Sequence, residues 1–304
     1  IMRYLLIDLS YYVFYRYFAI VNYIKLSTKT TPNLENVLEN KEFMTKFDEM
    51  FEKSLLKIVK QNYGIKNLAL SSDLQIIFAK DCSRANIWRQ DHFQGYKACR
   101  DHVKKKDHFD GLIFEHVYSR VLPQLMKKYY SIHEFYVDRA EADDCIAVLI
   151  DCIQNENPKN DIIIITNDND YLQLMNKVHD IINLQGKSLK PKLIDGCSKK
   201  TMLSKILIGD PSDNIKGVLS KSKANHILNQ CKTGDMIDQF VGGFTPQQKE
   251  NYEFNTKMID FNYMPTYVKD NIIKTYHNHT FINADLCFCK LYKQSYEKNC
   301  TLPP

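Results

Sequence analysis

The chain has 304 residues, 44% of them hydrophobic, with 41 Lys and Arg against 36 Asp and Glu for a formal charge of +5. That composition excludes a disordered or fibrous polymer and leaves room for one large domain or two of ordinary size. No run of about 18 apolar residues exists to span a bilayer, so no membrane is expected as a partner.

In chain order, the first apolar run, Tyr4–Ile7, is brief, β-rich and followed by polar residues, and predicts a buried parallel strand. Ser27–Asn40 is polar, contains Pro32, and reads as a loop or insertion. Phe43–Val59 carries Phe43, Phe47, Met50, Phe51, Leu55 and Ile58 at helical spacing. Further strands are predicted at Gln75–Ala79, Glu134–Val137 and Asp161–Ile165, with a helix over Ala140–Cys152 built on Ile146, Leu149 and Ile150. Strands alternating with helices point to an α/β fold with a parallel-rich central sheet flanked by helices. From about Lys199 the strand signal fades and a helical region follows. Nine cysteines, with no secretory leader and with Cys287-x-Cys289 lacking a second pair, read as reduced thiols of an intracellular protein.

Charge is clustered. Acidic residues bunch at 141–144, 168–170 and 210–213, while Lys97, Arg100, Lys104, Lys105 and Lys106 form a basic run. Asp8, Asp81, Asp168 and Asp170 each follow a predicted strand, and Glu141, Asp143 and Asp144 open the helix after another. In an open parallel sheet, ligands bind beyond the carboxyl ends of the strands, so these groups are expected to converge. Two carboxylates about 4 Å apart repel by about 4 kcal/mol at an effective dielectric near 20, so such a cluster demands cations. All-oxygen ligands favour Mg²⁺ or Mn²⁺ over zinc. Two ions roughly 3.5–4 Å apart would activate water and stabilise the leaving oxygen of a phosphoryl displacement.

Each piece alone has a plainer reading. Asp8 could be a strand-end cap, and Glu141, Asp143 and Asp144 could simply oppose a helix macrodipole. Asn167-Asp168-Asn169-Asp170 could be a turn, although it lacks the Gly and Glu of an EF-hand loop. Gly209-Asp210-Pro211-Ser212-Asp213-Asn214 could be a loop before a helix, and Lys104–Lys106 a solvated helix face. Coincidence at several strand ends together is what favours a shared site.

Taken together, Tyr4-Leu5-Leu6-Ile7-Asp8, Asp81, Tyr96-Lys97-Ala98-Cys99-Arg100, Ala140-Glu141-Ala142-Asp143-Asp144, Thr166-Asn167-Asp168-Asn169-Asp170 and Gly209-Asp210-Pro211-Ser212-Asp213-Asn214-Ile215-Lys216-Gly217-Val218 resemble the phage and bacterial branch of the 5′-nuclease (flap endonuclease) superfamily. The resemblance covers roughly residues 2–230. It implies an α/β nuclease core over 2–198 with a helical arch at about 97–128, then a helical region over 199–304 with a helix-three-turn-helix-like DNA-binding segment. It implies that Asp8, Asp81, Glu141, Asp143 and Asp168 surround a first metal, and Asp144, Asp170, Asp210 and Asp213 a second. Lys97 and Arg100 would contact the scissile phosphate, Tyr96 would stack on a terminal base, and Lys104, Lys105 and Lys106 would continue into the arch. The chain departs from the family after Val218, where Leu219-Ser220-Lys221-Ser222-Lys223 replaces a Gly-hydrophobic-Gly hairpin. That puts the family's potassium site in doubt and leaves Lys216, Lys221 and Lys223 as candidate phosphate contacts.

The function implied is a structure-specific 5′ nuclease, acting as a flap endonuclease or 5′-3′ exonuclease on DNA with a 5′ end, flap, nick or gap. The catalytic group would comprise Lys97, Arg100, Asp143 and Asp168, in a monomer that needs Mg²⁺ or Mn²⁺. The rivals are a PIN-like ribonuclease and a catalytically silent DNA-structure-binding protein. The Gly209–Asn214 segment and the basic run argue against the first, and the intact carboxylate set against the second.

Overall fold

The computed structural model describes residues 1–29, 36–100, 109–231 and 237–279. Five strands form one sheet: β1 (Arg3–Asp8), β2 (Leu74–Lys80), β3 (Ile132–Tyr136), β4 (Asp161–Ile165) and β5 (Asp180–Ile182). Every pairing is parallel and the order is β3-β2-β1-β4-β5, so the chain reverses its direction of winding beside β1. The helices are α1 (Leu9–Thr28), α2 (Lys41–Tyr63), α3 (Arg89–His92), α4 (Leu112–His116), α5 (Leu122–Lys128) and α6 (Ala142–Glu156) in the first two thirds of the chain. They continue as α7 (Ser198–Ile208), α8 (Lys221–Gln230), α9 (Asp238–Val241), α10 (Pro246–Ile259) and α11 (Thr266–Asn278).

The unbroken apolar strands are explained by burial on both faces. Leu5, Ile7, Ile76, Phe78 and Ile163 pack with α1 and α2 on one side, against Tyr12, Phe47 and Phe51. Tyr4, Leu6, Ile77, Ile162 and Ile164 pack with Ile146, Leu149 and Ile150 of α6 on the other. Helix α2 starts where the Asn40 side chain accepts from Phe43 N and ends at Gly64, whose φ of 69° suits only the left-handed region. The third predicted strand starts two residues earlier and ends one residue earlier than expected, with Ile132 in register with Ile76.

Residues 112–128 run as α4, a π-helical turn over Val117–Val121, and α5. Ile113, Val117, Val121 and Leu122 bury against the α1 and α2 layer, so this part of the expected arch is packed on the core. Lys104, Lys105 and Lys106 lie outside the described residues. The C-terminal helices also join the core: Val268, Ile272 and Tyr276 of α11 share a cluster with α6. No helix among the described residues is long and apolar enough to cross a membrane.

At the β3 edge, His133 is buried with Nε2 2.7 Å from Gln75 Oε1. The ring of His279 meets it edge-on at 5.2 Å. Burial, reinforced by His279, pushes the His133 imidazole down from 6.5 to about 4. The folded state therefore holds it neutral while the unfolded chain protonates, so its contribution is complete above pH 6.5 and lost as pH falls towards about 4. Urea unfolding across that window should show a shallower loss of stability in His133→Gln than in the wild type.

Candidate active site

The strand ends place the carboxylates. Asp8 is the last residue of β1 and caps α1, its Oδ1 accepting from Tyr11 N at 3.0 Å. Asp81 follows β2 and accepts from Ser10 Oγ at 2.5 Å and Ala142 N at 2.8 Å, which ties the end of β2 to the start of both α1 and α6. Beyond β4, Thr166 donates from Oγ1 to Asp8 Oδ2 at 3.3 Å and accepts from Asp168 N at 3.2 Å. Three neighbouring strands thus deliver Asp8, Asp81 and Asp168 to the edge where the winding reverses.

These groups have no direct ion-pair partner, although Arg89 and Lys97 oppose the rise at Asp143, and Lys205 and Lys97 the rise at Asp168. Among the described residues no Lys or Arg pairs with Asp8, Asp81, Asp143 or Asp168. Burial and the Asp81 charge push Asp8 up to about 7. Burial with Asp144 and Glu141 raises Asp143, and the crowding protein with Asp170 raises Asp168.

Glu141 and Asp144 sit in the opposite situation. Arg89, 2% exposed, donates from Nη1 to Glu141 Oε2 and Asp144 Oδ2 and from Nη2 to Asp144 Oδ1, each at 2.9 Å. Its Nε donates to Met258 O at 2.9 Å, which reaches the end of α10. Trp88 Nε1 and Glu141 N add bonds to Asp144 Oδ2 of 2.8 and 3.1 Å, so both oxygens of Asp144 already accept from donors. Glu141 also accepts from Tyr96 OH at 3.0 Å and pairs with Lys97. Burial alone would raise Glu141; Lys97 and Arg89 overcome it and hold the carboxyl down at about 2. One oxygen each from Glu141, Asp143 and Asp144 lies within 4.8 Å of the others.

A third group is built by the turn after α7. Asp210 and Ile215 exchange both backbone bonds, at 2.9 and 2.8 Å, and close the loop. Gly209, at φ 83°, lies so close that a Cβ would stand 2.5 Å from Gly217 N, so only glycine fits. The loop brings Asp210 and Asp213 to Asp170, with one oxygen of each within 4.8 Å of the others. Lys205 pairs with Asp170 and, at 2.6 Å, with Asp210. Arg100 Nη2 donates to Asp213 Oδ1 at 2.5 Å. Lys97 N also donates to Asp213 O, at 3.2 Å, and Lys97 has φ 58°, a left-handed conformation costly for a side-chain-bearing residue. That conformation sends its ammonium to Glu141.

A family model for the 5′-3′ exonuclease, N-terminal resolvase-like domain, matches residues 3–202. The chain belongs to the 5′-3′ exonuclease family. Family members are metal-dependent phosphodiester hydrolases. A curated relative, ribonuclease H of Enterobacteria phage T4, is 26% identical over 71% of this chain and 74% of its own length. A phage T5 protein co-crystallised with metal ions superposes with TM-score 0.59 at 15% identity, covering 91% of this chain and 97% of that one. The phage T5 flap endonuclease in a pseudo-enzyme-product complex with DNA and metal ions gives TM-score 0.59 at 17% identity, covering 90% and 97%. At that identity the likeness shows a shared fold.

Within this 5′-3′ exonuclease chain, Lys97 and Arg100 stand at the carboxylates, and Lys216, Lys221 and Lys223 are exposed on or just after the Asp210 loop. Tyr96 is a correction: it is 3% exposed, packed with Cys82, Ile87 and Ile215, and donates its hydroxyl to Glu141 and Asp213. No ring face is left open for stacking on a base. Sequence reasoning missed Arg89, Thr166, Ser10 and Lys205. Arg89 follows Trp88 eight residues before Lys97, and nothing in that spacing distinguishes it from a surface arginine.

Removing one member of a buried, hydrogen-bonded charge pair costs about 3–5 kcal/mol. Arg89→Met should therefore lose stability of that order in urea unfolding, and Arg89→Lys should recover little of it, because an ammonium cannot reproduce the guanidinium fork.

Proposed function

We propose that this chain is a structure-specific 5′ nuclease that hydrolyses DNA phosphodiester bonds at the strand-end pocket. The observation that carries the reading is the set of carboxylates at Asp8, Asp81, Asp143 and Asp168 that no basic side chain pairs with directly, three of them raised, near two basic side chains on the Tyr96–Arg100 segment. Mutual repulsion of this kind is relieved by a divalent cation, and an all-oxygen donor set fits Mg²⁺ or Mn²⁺. The phage T5 neighbours, whose structures contain metal ions and in one case DNA, support the same assignment. Asp8, Asp81, Asp143 and Asp168 would hold the ion directly or through water, with Glu141 bordering them. When bound, the metal supplies Lewis-acid stabilisation of the phosphoryl oxygens and lowers the pKa of water.

The protein's own groups do the rest. Arg89 fixes Glu141 and Asp144, so the start of α6 cannot drift from the strand ends. Arg100, with its side chain 42% exposed, can leave Asp213 for a phosphate oxygen, whereas Lys97, at 15%, stays inside the pocket as a point charge. Lys216, Lys221 and Lys223 present exposed charge to the backbone of a duplex. Asp144, with both oxygens taken by donors, acts as a positioning group.

End-labelled DNA with a 5′ flap, nick or gap, incubated with and without Mg²⁺, should be cut only with the metal. Single-stranded RNA should survive, and an RNA–DNA hybrid belongs in the panel because the phage T4 relative is named ribonuclease H. Asp143→Asn should lower the cleavage rate by at least about a thousandfold while leaving flap binding within a few fold. Full activity in that variant, or equal cleavage with chelator present, would overturn the reading.

A further inference from the structure

Two of the three carboxylate groups at this site differ in how their charge is met, and part of the difference lies in a side chain that none of the sequence motifs contains. At the strand ends, Asp8 lies close enough to Asp81 and Asp168 to feel their charges, and none of Asp8, Asp81, Asp143 and Asp168 forms an ion pair with a Lys or Arg among the described residues. Beside them, the cluster of Asp170, Asp210 and Asp213 is met by two basic side chains, Lys205 and Arg100. Lys205 is rooted in the last turn of α7, between the buried Leu203, Ile206 and Leu207, so a packed helix sets where its ammonium stands. A cation there also suits the negative end of the helix. The ammonium bridges Asp170 and Asp210 and lines a cleft of about 480 Å³ together with Asp168, Lys192 and Ser212.

Asp210 has no spare oxygen. Its Oδ1 accepts from Ser212 N and Oγ at 2.8 and 2.7 Å, and its Oδ2 is 2.6 Å from Lys205 Nζ. An ion seeking Asp170 and Asp210 together would have to expel the ammonium that joins them.

We infer that Lys205 is a tethered cation that occupies the carboxylate group of Asp170, Asp210 and Asp213, so that the protein without DNA keeps one standing divalent ion, at the strand ends, and takes a second only by displacing this side chain. The inference rests on the reading of the strand-end group given above. Lys205 is a positioning residue here, since it acts through Asp170 and Asp210.

The test is Mn²⁺ titration of the full chain without DNA, with free Mn²⁺ read by electron paramagnetic resonance. Wild type should bind one ion tightly. Lys205→Met should acquire a second whose affinity is at least about tenfold above any second ion of wild type, since a full opposing charge is removed. Lys205→Arg, which keeps the cation, should behave as wild type. Should Lys205→Met fold poorly without metal, Lys205→Gln provides the same comparison, and the rise in thermal midpoint on adding Mn²⁺ should exceed that of wild type. Two ions of similar affinity in wild type, or one ion with no gain in either neutral variant, would overturn the role of Lys205 alone. Asp143→Asn should abolish the first ion and, combined with Lys205→Met, leave the new one; a wild type that takes no ion overturns the active-site reading and this inference with it.

Discussion

Repulsion between like charges is the constraint around which this molecule is arranged. A parallel sheet whose winding reverses at β1 gathers strand ends into one crevice, and this sequence puts an acidic residue at nearly every one of them. Carboxylates at such spacing cannot all stay ionised without cations close by. The fold meets that demand unevenly. It pairs Arg89 and Lys97 with Glu141 and Asp144, and Lys205 and Arg100 with the Asp170, Asp210 and Asp213 group, while Asp8, Asp81, Asp143 and Asp168 receive no direct ion pair among the described residues. A pocket left short of positive charge in a protein otherwise generous with it is a place kept for a ligand. The proposed chemistry follows from that imbalance more than from the number of acidic residues.

Much of the sheet was legible because strands buried on both faces leave continuous apolar runs, and Tyr4–Ile7, Gln75–Ala79 and Asp161–Ile165 all lie inside observed strands. β5 was not legible: three residues, Asp180–Ile182, are too few to show a period. The carboxylates were legible for the same reason as the strands, since a strand end fixes where its next residue points. Their partners were not. Arg89 finds Glu141 across 52 positions of sequence and Met258 across 169, and no local pattern encodes such pairings. Tyr96 shows the complementary error. Its place in a basic, exposed-looking motif suggested a surface ring, but its neighbours in space are Ile87 and Ile215, supplied by other segments.

The same long-range pairings make the C-terminal helices part of the site. Asn255, buried in α10, donates from Nδ2 to Ile206 O and to Lys216 O, both at 2.8 Å. One turn later Met258 O accepts from Arg89. Helix α10 therefore holds the loop that carries Lys216 with one residue and the clamp on Glu141 with another. The lysine loop and the carboxylate clamp are thus anchored to a single turn of one helix, so neither can shift without straining the other.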